Sequence, residues 1–237
     1  MPLFDYNSFL LPGFRDAAAN GNVSLQIMEL LFEKHGVTHY HLMPLFDCTE
    51  DTVSSFLLKR HQAISKIQKT DRFSKLVNLH FGATAELHPG LWQTDELEKL
   101  CYGSTRMLSL RFPLGPYQDW MDQELNHLLY HGGYSLLFTS FELPLLFFER
   151  DTIERLLRIQ GAVFHFNYRS LLQPQVQETV KKLLAKHTPV LFGTNLSSME
   201  KTCYYEMDHY LNTARIFLTP YEYQYLWEQN HVFWKNS

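Results

Sequence analysis

Seven short apolar runs, each followed by a longer amphipathic stretch, leave this chain few folds to choose from. The runs are Leu3–Phe9, Val37–Met43, Leu76–Ala85, Met107–Phe112, Tyr134–Ser140, Ala162–Asn167 and Val190–Gly193. Each has the length of a buried strand. Helix-like stretches lie between them near 22–36, 50–69, 94–100, 118–131, 151–160 and 173–187, and a last one runs from 199 toward 218. Asn22 and Thr49 stand where helix N-caps belong, and Gly36, Gly132 and Gly161 mark helix-to-strand junctions. Strict strand–helix alternation predicts a parallel sheet with right-handed crossovers. Seven units with short connections predict a closed or nearly closed barrel. A doubly wound open sheet is the alternative, but the first turn lacks the GxGxxG glycines of that fold.

No Pro/Ser-rich linker, charge block or internal repeat divides the 237 residues, so a single domain spanning 1–237 is expected. The net charge of −4 shows no basic excess, which argues against nucleic acid as a partner. Aromatic residues are abundant, with 18 Phe, 13 Tyr and 4 Trp, and core filling is the plain explanation. Cys48, Cys101 and Cys203 are odd in number and form no CxxC, so neither a disulfide framework nor a zinc knuckle is expected. No apolar run approaches the roughly 18 residues of a membrane span, and no signal peptide opens the chain. A cytoplasmic location is the expectation.

In a barrel of this kind chemistry sits at the C-terminal ends of the strands. There, Asp5-Tyr6-Asn7-Ser8-Phe9-Leu10-Leu11-Pro12-Gly13-Phe14-Arg15-Asp16-Ala17 resembles the opening Asp-x-His-x-His-x-Leu-Pro-Gly-x-Asp-Asp-Gly of a family of bacterial enzymes. Further fragments follow in order: Met43-Pro44-Leu45, Gly82-Ala83-Thr84-Ala85-Glu86, Leu110-Arg111-Phe112-Pro113, Thr139-Ser140-Phe141-Glu142, Asn167 to Leu171, and Gly193-Thr194-Asn195-Leu196-Ser197. Together they resemble the CpsB/YwqE-like tyrosine phosphatases of the PHP superfamily, over nearly the whole chain. The resemblance implies a (β/α)7 PHP-type barrel, a distorted TIM-like fold. It also implies manganese or another divalent metal, and phosphotyrosine hydrolysis in capsule or exopolysaccharide systems.

Positions that hold metal ligands in the family carry Asn7, Phe9, Leu45, Thr84, Arg111, Ser140, Asn195 and Ser197 here. The glutamate of the third fragment falls on Thr84 without a gap, or on Glu86 if the register slips by two. Phe and Leu offer a metal no donor, and a guanidinium repels it. The expectation is therefore a chain with no metal cofactor and no catalytic residues, a pseudophosphatase. It would bind a bacterial tyrosine kinase or an active phosphatase homologue, and regulate polysaccharide assembly. Arg111 either pairs with Asp5 or Glu86 and plugs the old pocket, or joins Arg15 to hold a phosphate or phosphotyrosine. The alternative is an active metal-dependent protein-tyrosine phosphatase with an altered site drawing on Asp5, Asp16, Glu86, Glu142 and nearby histidines. Cys101 and Arg106 stand too close for a Cys-x5-Arg phosphate loop, and the remaining histidines are scattered.

Overall fold

The computed structural model describes residues 3–15, 17–68 and 77–236. Its strands are β1 (Leu3–Ser8), β2 (Val37–Leu42), β3 (Leu45–Phe46), β4 (Asn78–Phe81), β5 (Thr84–Glu86), β6 (Met107–Arg111), β7 (Ser135–Phe138), β8 (Val163–Asn167) and β9 (Val190–Gly193). The pairings are parallel and form two ladders, β1-β2-β4 and β3-β5-β6-β7-β8-β9.

One predicted run is broken in the middle and another is followed at once by a short extra strand, and both features have local causes. Val37–Met43 ends as β2, and Pro44, which has no N–H to give a ladder, separates it from β3. The run expected from Leu76 is divided at Gly82 into β4 and β5, and Leu76 itself lies outside the described residues. A Cβ at Gly82 would come within 2.4 Å of Met43 Sδ, so the two kinks interlock at a position only glycine fills. Counting β2 with β3 and β4 with β5, the strands follow one another in sequence order from β1 to β9.

Among the described residues no ladder joins β9 to β1, although the two strands lie side by side. Beyond the end of β9, Thr194 donates its N–H to Asp5 Oδ1 and its hydroxyl to Asp5 Oδ2, both at 2.7 Å. This side-chain clasp joins β9 to β1 where a closed barrel would have a ladder. Part of the reason lies in β1, whose register with β2 slips between Asp5 and Ser8. Such a bulge bends a strand and spoils its pairing with a further neighbour.

Helices cover the outside. They are α1 (Gly21–His35), α2 (Val53–Gln68), α3 (Asp119–Asn126, continued by a π turn to His131), α4 (Pro144–Phe147), α5 (Arg150–Leu156), α6 (Pro174–Ala185), α7 (Met199–Cys203), α8 (Met207–Phe217) and α9 (Pro220–Asn236). The predicted helix at 94–100 is only a single 3-10 turn at Leu97–Leu100, and the one expected over 199–218 is two helices. The caps also shift. Asn20, not Asn22, accepts from Val23 N–H, and Thr52, not Thr49, accepts from Ser55 N–H. In both cases an equally good capping side chain stands nearer the true first turn. Gly36 closes α1 in the left-handed conformation, as expected.

Most strands are buried on both faces. Outward residues such as Leu108, Phe138, Phe164 and Phe192 pack under the helices. Inward residues Phe4, Tyr6, Met43, Leu137, Val163 and Leu191 fill the interior together with Tyr102 and Trp234. Trp234 comes from α9 and stacks on His80 at 3.9 Å. Residues 221–227 belong to the same helix, with Leu226 and Trp227 buried. Among the described residues, no helix is long and apolar enough to cross a membrane.

Candidate functional site

Side chains on alternate strand positions line the C-terminal mouth of the sheet in two layers. The inner layer is neutral. Thr84 Oγ1 shares a hydrogen bond with Ser109 Oγ and donates to Asn7 Oδ1, both at 3.1 Å. Asn7 Nδ2 donates to Asn195 Oδ1 at 3.1 Å, and Asn195 Nδ2 donates to Ser140 Oγ at 3.0 Å. The chain of bonds therefore crosses from β6 and β5 over β1 to the ends of β9 and β7. Four of the positions that the sequence comparison singled out, Asn7, Thr84, Ser140 and Asn195, meet in it.

The backbone is bent to make this network. Asn7, Ser140 and Asn195 all have positive φ, at 104°, 52° and 52°. Such conformations cost free energy in a non-glycine residue and persist only where surrounding bonds enforce them. The bulge in β1 turns Asn7 inward, out of step with its neighbour Asp5. Ser140 is pinned by its own N–H, which donates to His165 Nδ1 at 3.2 Å. Burial drives the His165 pKa down to about 3, so its ring is neutral and free to accept. The other nitrogen of that ring faces Gly193, where a Cβ would lie 2.6 Å from Nε2. Phe9 and Leu45 are buried beside this layer, and Ser197, half-buried beyond β9, is not part of the network.

The outer layer is charged. Asp47 lies two residues beyond Leu45, Glu86 two beyond Thr84, and His88 two beyond Glu86. Since side chains alternate with period two, a shift of two keeps the face and moves the group one step toward the mouth. One ligand atom from each of Asp47, Glu86 and His88 lies within 4.8 Å of the others. This cluster corrects the expectation that the chain retains no metal-ligating set. The ligand positions of the family pattern are changed, but a donor set stands one layer further out. Two carboxylates and an imidazole are donors that manganese, iron or zinc accept, and the three side chains would draw together to make bonds of about 2.0–2.2 Å.

Two arginines complete the layer. Arg15 ion-pairs with Asp47 Oδ2 at 3.4 Å, with Glu50 at 3.8 Å, and closely with Glu86 Oε2. Arg111 Nη2 approaches Glu86 Oε1 at 3.4 Å. Arg111 thus has Glu86 as its carboxylate partner, while Asp5 is held by Thr194. Burial raises the Asp47 carboxyl pKa, but bonds from the Thr49 hydroxyl and amide and the charges of His88 and Arg15 outweigh it. The group ends below its ordinary value and stays ionised. Asp47, Glu86 and Glu50 against two guanidinium groups give −3 + 2 = −1, so a divalent cation would bring the cluster to +1. A net positive centre of that kind attracts a phosphate anion. Asp16 lies outside the described residues.

Two other carboxyls near the mouth are buried. Burial raises the Asp5 pKa against bonds from Ser8 and Thr194, and pushes Glu142 up to about 7 against bonds from its own amide and that of Asn167. Cys101 is no nucleophile, since burial lifts its thiol to about 11.

No protein-family model matches the chain, and no curated protein matches it significantly. Solved structures do. One of the pair described as YwqE from Bacillus subtilis and CpsB from Streptococcus pneumoniae, unique metal-dependent tyrosine phosphatases, superposes with a TM-score of 0.67. The two chains are 15% identical, and the match covers 96% of this chain and 93% of the other. A histidinol phosphate phosphatase from Lactococcus lactis, complexed with zinc, L-histidinol and phosphate, superposes with a TM-score of 0.55 at 13% identity. That match covers 90% of this chain and 91% of the other. At such identities the likeness is one of fold.

Proposed function

We propose that the chain is a metal-dependent phosphoesterase of PHP type, a single barrel domain whose metal site has moved outward to Asp47, Glu86 and His88. The observation that carries this reading is the convergence of Arg15 and Arg111 on Glu86, beside Asp47 and His88. Both structural neighbours are described as phosphatases, one metal-dependent and the other complexed with zinc, and a phosphate monoester is the substrate class that suits a cluster of this charge.

In this reading Asp47 and Glu86 supply carboxylate oxygens and His88 an imidazole nitrogen to the ion. When bound, such a metal supplies a nucleophilic hydroxide at neutral pH by lowering the pKa of its water from 15.7 to about 7. Arg15, whose side chain is 41% exposed, is able to swing from the carboxylates to the phosphoryl oxygens. Arg111 is more enclosed and holds its place. Planar guanidinium groups bind phosphate through paired N–H donors and stabilise charge that develops on its oxygens. The apolar floor of Phe9 and Leu45 keeps water out from below.

The test is metal content after equilibration with manganese, iron and zinc, followed by hydrolysis of a small aryl phosphate. The expected result is at least about one ion per chain, lost in Glu86→Gln, with turnover lost in parallel. A wild-type protein that emerges metal-free, or Glu86→Gln protein that keeps its ion, refutes the site.

A second reading is favoured by the inner layer. Neutral side chains satisfy one another where the resemblance places ligands, which suits a protein that binds a phosphoester without hydrolysing it. Such a pseudophosphatase would regulate capsule or exopolysaccharide assembly through a tyrosine kinase or an active phosphatase homologue. Stoichiometric metal with no turnover would favour it over the first.

A further inference from the structure

Histidines also gather away from the charged mouth. His41 on β2 and His80 on β4 are partners in the parallel register, so their side chains stand side by side on one face of the first ladder. His80 Nδ1 and His41 Nε2 lie 3.0 Å apart. On the other side of its ring, His41 Nδ1 meets the Tyr102 hydroxyl at 2.8 Å. Both imidazoles line a cavity of about 280 Å3 at the edge where the first ladder ends in β4. Tyr102 and Gly103, which precede β6, form its other wall with Leu79, Phe81 and Gly82. The charged layer of Asp47, Glu86 and His88 contributes no residue to it, and the inference does not rest on the phosphoesterase reading.

The geometry of the pair is that of a chelate. Two nitrogens bound to one ion at about 2.0–2.1 Å, in adjacent corners of a square plane, stand about 2.8–3.0 Å apart. His41 and His80 already have that separation, and neighbouring strands rather than a loop fix it. The tautomers let an ion take the place of the shared proton. While the Tyr102 hydroxyl donates to His41 Nδ1, the ring hydrogen sits on Nε2 and is donated to His80. Moved to Nδ1, that hydrogen is donated to the tyrosine oxygen, and both facing nitrogens are left with lone pairs. No proton is gained or lost. Tyr102 then supplies the outer hydrogen bond that orients a ligating imidazole. The described lining residues include no carboxylate. Imidazole without carboxylate disfavours manganese, magnesium and calcium, and a square-planar arrangement favours copper(II) or nickel(II) over zinc.

We propose that His41 Nε2 and His80 Nδ1 hold a late first-row divalent ion, copper(II) by preference. Its remaining coordination positions face the cavity and admit water or a small donor. The Trp234 ring, stacked on His80 at 3.9 Å, places an indole of α9 against one of the two ligands.

Equilibrium dialysis of the full chain carrying Glu86→Gln, which removes a carboxylate of the charged mouth, tests this with copper(II) and separately with manganese(II). The expected result is one copper and no manganese per chain. Electron paramagnetic resonance should show splitting from two imidazole nitrogens, and copper should quench tryptophan fluorescence, less so with Trp234→Phe. In the same background His80→Phe, which keeps a ring against Trp234 but offers no donor, should lose the ion. Tyr102→Phe removes only the hydroxyl and should weaken copper binding about 10–100-fold. It keeps the test decisive if His80→Phe fails to fold. Copper retained by His80→Phe with the same spectrum, or affinity unchanged in Tyr102→Phe, overturns the site. Absence of copper from the Glu86→Gln protein also overturns it, and manganese bound as tightly as copper overturns the class of ion.

Discussion

Glu142 offers a measurement in which sign and size both follow from the structure. Its carboxyl is buried at the end of β7, where Oε2 accepts the Asn167 N–H at 3.1 Å. Burial outweighs that bond and its own amide, and lifts the pKa from 4.5 to about 7. A carboxyl whose folded pKa is raised binds more protons folded than unfolded between those two values. The slope of unfolding free energy with pH is then negative, so stability is full below pH 4.5 and falls as pH rises toward 7. A difference of about 2.5 units, at 1.36 kcal/mol each, is about 3 kcal/mol at the alkaline end. Glutamine is neutral at every pH and keeps an oxygen to accept from Asn167. Urea unfolding of wild type and Glu142→Gln between pH 4 and 8 gives the comparison, and other titrations cancel in the difference. The variant should match wild type near pH 4 and exceed it by about 3 kcal/mol at pH 8. A difference that is flat across this range, or that favours wild type at pH 8, would refute the burial argument.

Asp47 should behave in the opposite sense, because its folded pKa is depressed below 3.8. In metal-free protein its stabilisation is present above pH 3.8 and fades as pH falls, so acid unfolding should separate wild type from Asp47→Asn only above that value. Gly193→Ala drives a methyl against His165 Nε2 and should cost about 1–3 kcal/mol in chemical denaturation. Combined with His165→Ala it should cost less than the sum, a coupling absent if the two do not touch. Thr52→Ala removes the cap of α2 and should cost about 1 kcal/mol, whereas Thr49→Ala should leave that helix start intact.

The fold was legible because the alternation of apolar runs and amphipathic stretches is written on nearly every element. Breaks within a run were not legible. Nothing in Val37–Met43 or in the run through Gly82 tells that Met43 sulfur occupies the space a Cβ at Gly82 would need. The manner in which β9 meets β1 was not legible for a related reason. A β-bulge such as that between Asp5 and Ser8 leaves no compositional trace, and whether β9 meets β1 by ladder or by the Asp5–Thr194 clasp depends on it. At the site, Arg15 and Arg111, singled out from the sequence as a pair, both reach Glu86. Aligning residues one-for-one with a family pattern then hid the donor set. A period-two strand makes positions i and i+2 equivalent in direction, so Asp47 and Glu86 offer what Leu45 and Thr84 lack. His88 follows by the same step, and a search for same-face donors around each changed position would have found all three.

The interior is finished by the far end of the chain. The Tyr6 hydroxyl donates to the carbonyl of Asn230, 224 residues away, and the Trp234 ring packs at a tilt on Phe4 at 5.8 Å. During synthesis at about 5–20 residues per second, β1 therefore waits on the order of 10–45 seconds before its last neighbours emerge. Through that interval Phe4 and Tyr6 lack the aromatic plug that covers them. The interior around β1 is therefore completed only once α9 arrives.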